Sequence, residues 1–384
     1  MRSYIVTLFL SLSLSWAQLC TASPSLIPAP PQVAASSYLL MDANTGHIIV
    51  EHNGKQQLPP ASLTKMMTTY VASHELAKNN ININDQVRVS IKAWKTGGSR
   101  MFLKEGSKVS VGQLLKGIII QSGNDASITL AEHIAGSEAA FADYMNNHAE
   151  HIGMHDTHYQ NATGLPAKDH LTTAFDLAIL ARGIINEFPE HYKLYSEKSF
   201  TYGGIKQPNR NLLLWRDPSV DGLKTGHTNE AGYCLVSSAK KENMRLISVV
   251  MGTHSIEARA SESQKLLTYG FRFYRSITLQ TAGTEITRAK LWMGTQDEIR
   301  LGVQENVSAT IPRGQKDNIV SKIILNKEIK APIKAGERYG TLTLTLDDTT
   351  LSTSALVALD DVEAGGIFKQ LLDYIILLFN SFLS

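Results

Sequence analysis

The chain has 384 residues, of which 43% are hydrophobic, so it is long enough for two domains with substantial cores. Its formal net charge of +2 argues against the strongly basic surface that nucleic-acid-binding proteins need, so no nucleic-acid partner is predicted. Its two cysteines, Cys20 and Cys234, are too few for a disulfide framework.

The first residues have the pattern of an export signal. One early arginine precedes an apolar stretch and then small residues, in MRSYIVTLFLSLSLSWAQLCTAS. We predict cleavage after Ala22 or Ser23 and assign residues 1–22 to a signal peptide. Cys20 raises the alternative of a lipoprotein, but the sequence AQLC has no small residue directly before the cysteine. The mature protein is therefore predicted to be exported, bacterial and without an internal disulfide.

The mature chain begins with a Pro-rich extended linker and continues with alternating strand and helix patterns. YLLMDANTGHIIVEHN predicts two short strands around an Asn-Thr-Gly turn. Apolar residues at helical spacing predict helices in SLTKMMTTYVASHELAK, VGQLLKGIIIQ, DASITLAEHIAG, FADYMNNHAEHIGM and FDLAILARGIINEF. GYCLVSSAK and RLISVVMG predict an antiparallel hairpin. Strands that flank a helical middle predict an α/β domain with one sheet.

A second domain is predicted from a change of pattern. From about Ser276 to Asp361 the chain is almost entirely strand-like, with strict alternation in TLTLTL at residues 341–346. We therefore predict a catalytic domain over residues 23–275 and a small all-β domain over residues 276–365. The second domain has no obvious cluster of reactive side chains, so its predicted role is a stalk or spacer.

Residues 366–384 are predicted to form an amphipathic helix. Polar residues fall near one stripe, and Phe, Ile and Leu fill the rest. The segment is about as long as a bilayer span, but Lys369 and Asp373 lie inside it. A helix lying in the membrane surface is favoured over a helix docked on the protein's own core, because no later segment could cover its apolar face.

Ser62 and Lys65 form a Ser-x-x-Lys pair at the start of the first predicted helix, with Ser62 expected at the N-cap. Side chains three residues apart share one helix face, so a neutral lysine could take the proton of the serine hydroxyl. Because the pKa of lysine is normally about 10.4, the amine needs burial or a second cation to lose its charge. Two other Ser-x-x-Lys matches lie in a predicted strand, where such residues point to opposite faces. Taken alone, Ser62 could be only a helix cap.

A second motif, Ser122-Gly123-Asn124, falls in a break between two predicted helices. A hydroxyl and an amide held there could relay a proton to a leaving group and bind a substrate amide. The alternative is a turn followed by the cap of the next helix.

Lys-Thr-Gly is the third motif and occurs twice. Lys224-Thr225-Gly226 leads into a predicted strand, so its side chains could line the edge of a sheet. Lys224 would supply the second cation for Lys65, and Gly226 would let a substrate approach the backbone closely. The earlier copy, residues 95–97 in WKTGGSRMF, lies in a Gly-rich loop and is interpreted as a chance match without a catalytic role.

The order of the three motifs resembles the signature of penicillin-binding proteins and serine β-lactamases. GGSRMFLKEGSKVSVGQLLKGIIIQSGNDA, VDGLKTGHTNEAGYCLV and LLTYGFRFY resemble low-molecular-mass D-alanyl-D-alanine carboxypeptidases of the bacterial cell envelope. The likeness covers nearly the whole chain. It implies a catalytic domain with an antiparallel sheet and a helical cluster, an all-β domain and a terminal amphipathic anchor.

The resemblance also implies catalytic roles. Ser62 resembles the acylated nucleophile and Lys65 the base that activates it. Ser122 resembles the proton relay, and Lys224 tunes the electrostatics. The backbone N–H groups of Ser62 and His227 would form the oxyanion hole.

Four further positions are implied to bind substrate. Asn124 resembles the ligand of the substrate amide, and Gly226 belongs to the same strand edge as Thr225. Thr225 and Arg259 resemble the residues that hold the terminal carboxylate of the substrate, which a cation can pair with. For Arg259 the alternative is a solvated surface arginine.

The implied reaction removes the terminal D-alanine from peptidoglycan pentapeptides through an acyl-enzyme on Ser62, which β-lactams would also acylate. A D,D-endopeptidase of cross-linked peptidoglycan is the nearest alternative. A β-lactamase is less favoured, because LTTAFDLAILAR, with Asp176, offers no Glu-x-x-x-Asn loop. A non-catalytic wall scaffold is also less favoured, since every motif residue is present.

The resemblance implies three partners: peptidoglycan stem peptides, β-lactam inhibitors and, through the terminal helix, the inner-membrane surface. The predicted location is the periplasmic face of the bacterial cytoplasmic membrane, as a peripheral protein. No metal or cofactor is implied.

Overall fold

The computed structural model describes residues 27–383. The predicted signal peptide and the alternative of a lipoprotein at Cys20 lie outside the described residues. Cys234 is a buried free thiol, 0% exposed.

A five-stranded antiparallel sheet forms the centre of the N-terminal part. In spatial order its strands are β2 (Ile48–His52), β1 (Ser37–Asp42), β9 (Met244–Thr253), β8 (Gly232–Lys241) and β7 (Val220–Thr228). The first two strands pair across the predicted Asn-Thr-Gly turn, and β8 and β9 form the predicted hairpin. β7 carries the second Lys-Thr-Gly motif at the edge of this sheet.

Helices cover both faces of the sheet. They are α1 (Thr64–Ala77), α2 (Ile91–Lys95), α3 (Val111–Lys116), α4 (Asn124–Ala135), α5 (Glu138–His151), α6 (Ala174–Glu187), α7 (Pro189–Tyr192), α8 (Leu213–Arg216) and α9 (Ile256–Phe273). Side chains alternate across β1, so Leu39 and Met41 pack in the cluster with α1 and α6, whereas Leu40 packs with α9. The sheet therefore separates two apolar cores.

Two short hairpins flank the helices of this part. They are β3 (Gln86–Arg88) with β4 (Lys108–Ser110), and β5 (Ser199–Tyr202) with β6 (Ile205–Pro208). A third apolar cluster joins the first hairpin to α3 and α4 and holds the loop that leads to the Ser-x-Asn motif.

The turn that carries Ser62 differs from the prediction. Ser62 lies in a 3₁₀ turn, Ala61–Leu63, and α1 begins only at Thr64, so the prediction that Ser62 is the N-cap is wrong. Two prolines precede the turn, and Ala61 has a φ of +47°, a left-handed conformation that side chains disfavour. The chain therefore bends sharply just before the serine.

The C-terminal part is built from strands. They are β10 (Tyr274–Gln280), β11 (Glu285–Trp292), β12 (Glu298–Gly302), β13 (Val307–Pro312), β14 (Ile319–Leu325), β15 (Ile329–Lys330), β16 (Arg338–Leu346) and β17 (Thr349–Ala358). β10 pairs with β13, and the other six form a sheet in the order β14-β16-β17-β12-β11-β15. The alternating TLTLTL segment lies in β16, where every leucine is buried. The predicted fold class, an α/β part with a β-rich part and a terminal helix, is confirmed.

The last helix, α10 (Ile367–Leu383), packs with its polar stripe on the strands. Asp373 is 3% exposed and accepts the Met293 backbone N–H at 2.7 Å, and Lys369 Nζ lies 2.7 Å from Asp297 Oδ1. On the other side Phe368 is 91% exposed. Within the described part of the chain, no helix combines the length and apolarity needed to cross a bilayer.

Candidate active site

Ser62 and Lys65 are adjacent at the floor of a cleft. Lys65 Nζ lies 3.1 Å from Ser62 Oγ, although the serine belongs to the 3₁₀ turn and the lysine to α1. The lysine side chain is 0% exposed, whereas Ser62 lines the cleft. The two groups have the proximity that proton transfer between them requires.

The other contacts of Lys65 leave one direction of its amine for the serine. Lys65 Nζ donates to Asn124 Oδ1 at 2.8 Å and to the carbonyl oxygen of Thr163. A neutral amine has two N–H groups and one lone pair. If the two oxygens take the two N–H groups, the lone pair faces Ser62 Oγ. This geometry suits a base acting on the serine hydroxyl.

The surroundings of Lys65 favour its neutral form. Burial, and secondly the charge of Arg210, lower the pKa of Lys65 to about 7, while Asp125 and Glu138 act in the opposite direction. The cation that lowers the pKa of Lys65 is thus Arg210, and its effect is second to that of burial. The sequence predicts that Lys224 is this cation. A large share of Lys65 is neutral near pH 7.

Lys224 is buried beside the second motif. Its Nζ donates to Ser122 Oγ at 2.9 Å and to the carbonyl oxygen of Thr225 at 2.9 Å. Burial, followed by the charges of Lys65, Arg210 and Arg259, holds the pKa of Lys224 well below its usual range. The charge of Lys65 thus acts on Lys224, whereas the sequence predicts the opposite effect, that Lys224 lowers the pKa of Lys65.

The Ser-x-Asn motif forms a tight break between helices, as predicted. The chain runs from α3 through a π-helical turn, Gly117–Gln121, and Ser122 has a φ of +64°, an uncommon conformation for a residue with a side chain. α4 then starts at Asn124. The break turns the Ser122 hydroxyl towards Lys224 and the Asn124 amide towards Lys65.

The strand edge of β7 forms one wall of the cleft. Thr225, Gly226 and His227 all line it. A Cβ at Gly226 would lie 3.1 Å from the Pro60 carbonyl oxygen and 3.3 Å from the Ala61 Cβ. The absence of a side chain at Gly226 therefore lets β7 pack closely against the turn that carries Ser62. The sequence predicts only that this glycine lets a substrate approach the backbone.

Arg259 reaches the cleft from α9. It is 5% exposed, and its Nη1 donates to the Gly226 carbonyl oxygen at 3.1 Å. The alternative of a solvated surface arginine is therefore wrong. Burial lowers the pKa of Arg259 to about 10, so its guanidinium stays charged at neutral pH.

Sequence reasoning missed Arg210, which also lines the cleft. Its Nη1 donates to Ser99 Oγ at 2.7 Å. Arg210 follows β6 in a polar segment with no recognisable motif, so only its position in the fold reveals it. Of the described residues that line this cleft of about 1060 Å³, none is acidic and two are arginines. The cleft suits an anionic ligand.

The two copies of Lys-Thr-Gly differ in position. Lys95 is exposed at the end of α2, whereas Lys224 is buried beside Ser122. The loop after the first copy does line the cleft, through Gly98 and Ser99. Asn124 Nδ2 holds this loop by donating to the Gly97 carbonyl oxygen at 2.8 Å. The earlier motif itself lies outside the cleft lining, with its lysine exposed to solvent.

Two family models match the chain. Residues 25–255 match D-alanyl-D-alanine carboxypeptidase, and residues 274–364 match the penicillin-binding protein 5 C-terminal domain. The chain belongs to the D-alanyl-D-alanine carboxypeptidase family. The predicted family and the predicted serine-type hydrolase are confirmed.

Individual members of this family are similar over most of their length. The D-alanyl-D-alanine carboxypeptidase DacA of Escherichia coli (strain K12) is 42% identical over 93% of this chain and 90% of that protein. DacF of Bacillus subtilis (strain 168) is 38% identical over 88% of each. The crystal structure of penicillin binding protein 5 from Haemophilus influenzae covers 88% of this chain and 99% of its own, at 41% identity and a TM-score of 0.83.

Proposed function

We propose that this carboxypeptidase family member removes the terminal D-alanine from peptidoglycan pentapeptides with Ser62 as the nucleophile. The observation that carries the assignment is the set of contacts around Lys65. Its two oxygen acceptors and its burial favour a neutral amine whose lone pair faces the serine hydroxyl. A serine needs such a neighbour to be nucleophilic at neutral pH.

Acylation follows from these positions. Ser62 Oγ bonds to the carbonyl carbon between the two D-alanines while its proton passes to Lys65 Nζ. The backbone N–H groups of Ser62 and His227 hold the oxyanion. Ser122, hydrogen-bonded to Lys224, relays a proton to the leaving amine, and the C–N bond breaks. Free D-alanine departs, and water then hydrolyses the ester.

The cleft holds the substrate through charge and hydrogen bonds. Thr225 and Arg259 hold the terminal carboxylate, and the cationic cleft without acidic lining residues favours that anion. Asn124 Oδ1 accepts one bond from Lys65 and keeps a lone pair for a substrate N–H. Gly226 gives β7 its close approach to the Ser62 turn.

A β-lactam presents a comparable carbonyl and carboxylate, so it acylates the same serine. A similar protein, penicillin-binding protein D2 from Listeria monocytogenes, has been solved in an ampicillin-bound form; it is 29% identical over 64% of this chain, with a TM-score of 0.59. Labelling with a fluorescent penicillin tests the prediction. Ser62→Ala should abolish the label, and a non-catalytic scaffold would stay unlabelled even as wild type.

Analysis of the reaction products distinguishes a carboxypeptidase from an endopeptidase and a β-lactamase. The wild-type protein should release free D-alanine from a pentapeptide. An endopeptidase would instead split cross-linked dimers, and a β-lactamase would turn over penicillin without lasting label. The carboxylate of Asp176 lies in α6 and accepts from Thr157 Oγ1 at 2.6 Å, so it is engaged in a structural contact and does not replace the glutamate of a β-lactamase.

The terminal helix supports a location at the membrane surface. We propose an exported protein with a catalytic domain over residues 23–275, a β domain over 276–365 and an anchor over 366–384, bound at the periplasmic face of the inner membrane. The polar contacts of α10 point inwards, leaving its apolar side chains exposed. Deleting residues 366–384 should release the protein from vesicles and preserve penicillin labelling, whereas loss of labelling would contradict the division.

A further inference from the structure

His170 is a buried histidine that joins the start of α1 to the loop beside Lys65. It is 4% exposed. Its Nε2 lies 2.8 Å from Thr64 Oγ1, and its Nδ1 accepts the Gln160 backbone N–H at 2.9 Å. Thr64 is the first residue of α1, immediately before Lys65.

The second contact fixes the tautomer of the ring. A nitrogen that accepts from a backbone N–H carries no proton, so the proton of a neutral imidazole must be on Nε2. Nε2–H therefore donates to Thr64 Oγ1. Protonation of Nδ1 would place two N–H groups against each other at Gln160. The bridge exists only while His170 is neutral.

The loop that His170 holds covers the base. Its Thr163 carbonyl oxygen accepts from Lys65 Nζ. Gly164 lies so close to the Ser62 turn that a Cβ there would be 1.8 Å from the Ala61 carbonyl oxygen. Thr68 Oγ1 of α1 also donates to the Ala162 carbonyl oxygen at 2.8 Å. A displacement of this loop would open the pocket of Lys65 to water.

We propose that His170 is a positioning residue for acylation, which keeps the loop of Thr163 closed over Lys65 and so keeps that amine neutral. This inference rests on the proposed function, since it assigns His170 an effect on the base. His170 itself lines no part of the cleft, so it acts through Thr64 and the loop.

Charged and titratable groups act on both Lys65 and His170. The charges of Arg210, Asp125 and Glu138 act on Lys65, and Lys65 acts in turn on Lys224. Facing His170 are His158 and Lys65; burial and these two lower the pKa of His170 to about 4, so it stays neutral at physiological pH.

Opening the loop has two opposing effects on Lys65. Burial is the largest cause of the low pKa of Lys65, so admission of water raises it. Loss of the Thr163 carbonyl oxygen alone would lower the pKa, because that oxygen also stabilises the ammonium. The larger cause prevails, and the pKa of Lys65 should rise.

Four variants separate the two bonds of the bridge. His170→Ala removes both. His170→Gln can keep the donor to Thr64, and His170→Asn can keep the acceptor for Gln160. Thr64→Val removes the hydroxyl with little change of shape. His155→Ala is the matched control, since His155 is exposed, lies outside the cleft and is not among the groups that shift the pKa of His170.

Two readouts are needed: the titration of Lys65 by NMR of ¹⁵N-lysine-labelled protein, and the rate of acylation by a β-lactam as a function of pH. For His170→Ala we expect the Lys65 pKa to rise by about one unit, and acylation below neutral pH to fall about tenfold. His170→Gln and His170→Asn should lie between the alanine variant and wild type. His170→Ala and Thr64→Val should be non-additive when combined.

Unchanged Lys65 titration in all variants, with only a lower melting temperature, would overturn the inference and leave His170 a core residue. If His170→Ala does not fold, the Gln, Asn and Thr64→Val variants give the same decision. Failure of wild type to acylate would contradict the proposed function instead, while the NMR titration would still decide the role of His170. His155→Ala should match wild type in acylation rate.

Discussion

Lys224 Nζ donates to Ser122 Oγ at 2.9 Å across 102 positions of sequence. This bond connects the edge of the sheet to the break between α3 and α4. Lys65 connects the same break to the Ser62 turn, through its bond to Asn124. Two lysines thus connect three separate motifs in one cleft. Both are buried, and the positive charge of Lys65 disfavours a positive charge on Lys224.

Replacing Lys224 by alanine should slow acylation by a β-lactam about 100-fold or more, because Ser122 loses the partner that orients its hydroxyl. Stopped-flow or gel-based measurement of labelling with fluorescent penicillin checks the rate. Lys95→Ala is the matched control, since Lys95 is the exposed lysine of the other Lys-Thr-Gly copy. Equal damage from the two variants would refute the choice of motif.

Acylation should increase with pH and level off above about 7. The neutral form of Lys65 is the active base, and its pKa is lowered to about 7. Below that value the neutral fraction falls about tenfold per pH unit. The rate constant for labelling, measured between pH 5 and 9 in buffers of equal ionic strength, checks the prediction. A rate that falls as pH rises through 7 would exclude Lys65 as the base.

Removing the charge of Arg210 should shift that profile to higher pH. Its guanidinium is the second cause of the lowered pKa of Lys65, so Arg210→Ala should raise the Lys65 pKa and slow acylation below neutrality. Arg210→Lys keeps a positive charge and should shift the profile less. An unchanged profile in Arg210→Ala would show that burial alone sets the pKa.

Gly164→Ala should prevent the native turn at Ser62. The added Cβ would lie 1.8 Å from the Ala61 carbonyl oxygen, and Gly164 has a φ of +81°. Gly136→Ala is a useful control, because Gly136 has a similar φ of +76° and no atom within 4 Å of the added Cβ. The free energy of unfolding of the control, measured by chemical denaturation, should fall by only about 1–2 kcal/mol, the cost of a left-handed backbone conformation for alanine. An equal loss of stability in Gly164→Ala and Gly136→Ala would mean that the contact with Ala61 is unimportant.

Asp373→Ala should loosen the terminal helix from the strands. Asp373 is buried and accepts the Met293 backbone N–H, so its loss leaves that donor unpaired, at a cost of about 1–3 kcal/mol. Hydrogen exchange of the Met293 amide should accelerate about tenfold or more, the equivalent of at least about 1.4 kcal/mol. Asp297→Ala breaks only an exposed pair with Lys369 and should leave this amide protected.

Much of the architecture follows from local patterns. Period-2 alternation predicts β16, because its leucines are buried on one face. Short apolar runs on either side of turn residues predict β1 and the β8–β9 hairpin, which are buried on both faces. Helical spacing of apolar residues likewise predicts α1, α4, α5 and α6. The motif order, which depends only on residue types along the chain, indicates the family.

What sequence reasoning could not supply depends on contacts between distant segments. Arg210 has no motif, yet it faces Lys65 because β6 and α8 hold its loop at the cleft. His170 follows a loop whose polar residues resemble any other turn. The Ser62 turn is not the expected N-cap, since Gly226 and Gly164 both press against residues 60 and 61.

The identity of the reactive groups could thus be read from the linear order of residues, because a hydroxyl, an amine and an amide keep their chemistry wherever the chain carries them. Their protonation states could not. The pKa of a lysine depends on how completely water is excluded and on which charges lie nearby, and both arise only when the sheet edge, the helices and the loop at residues 160–164 close around Lys65.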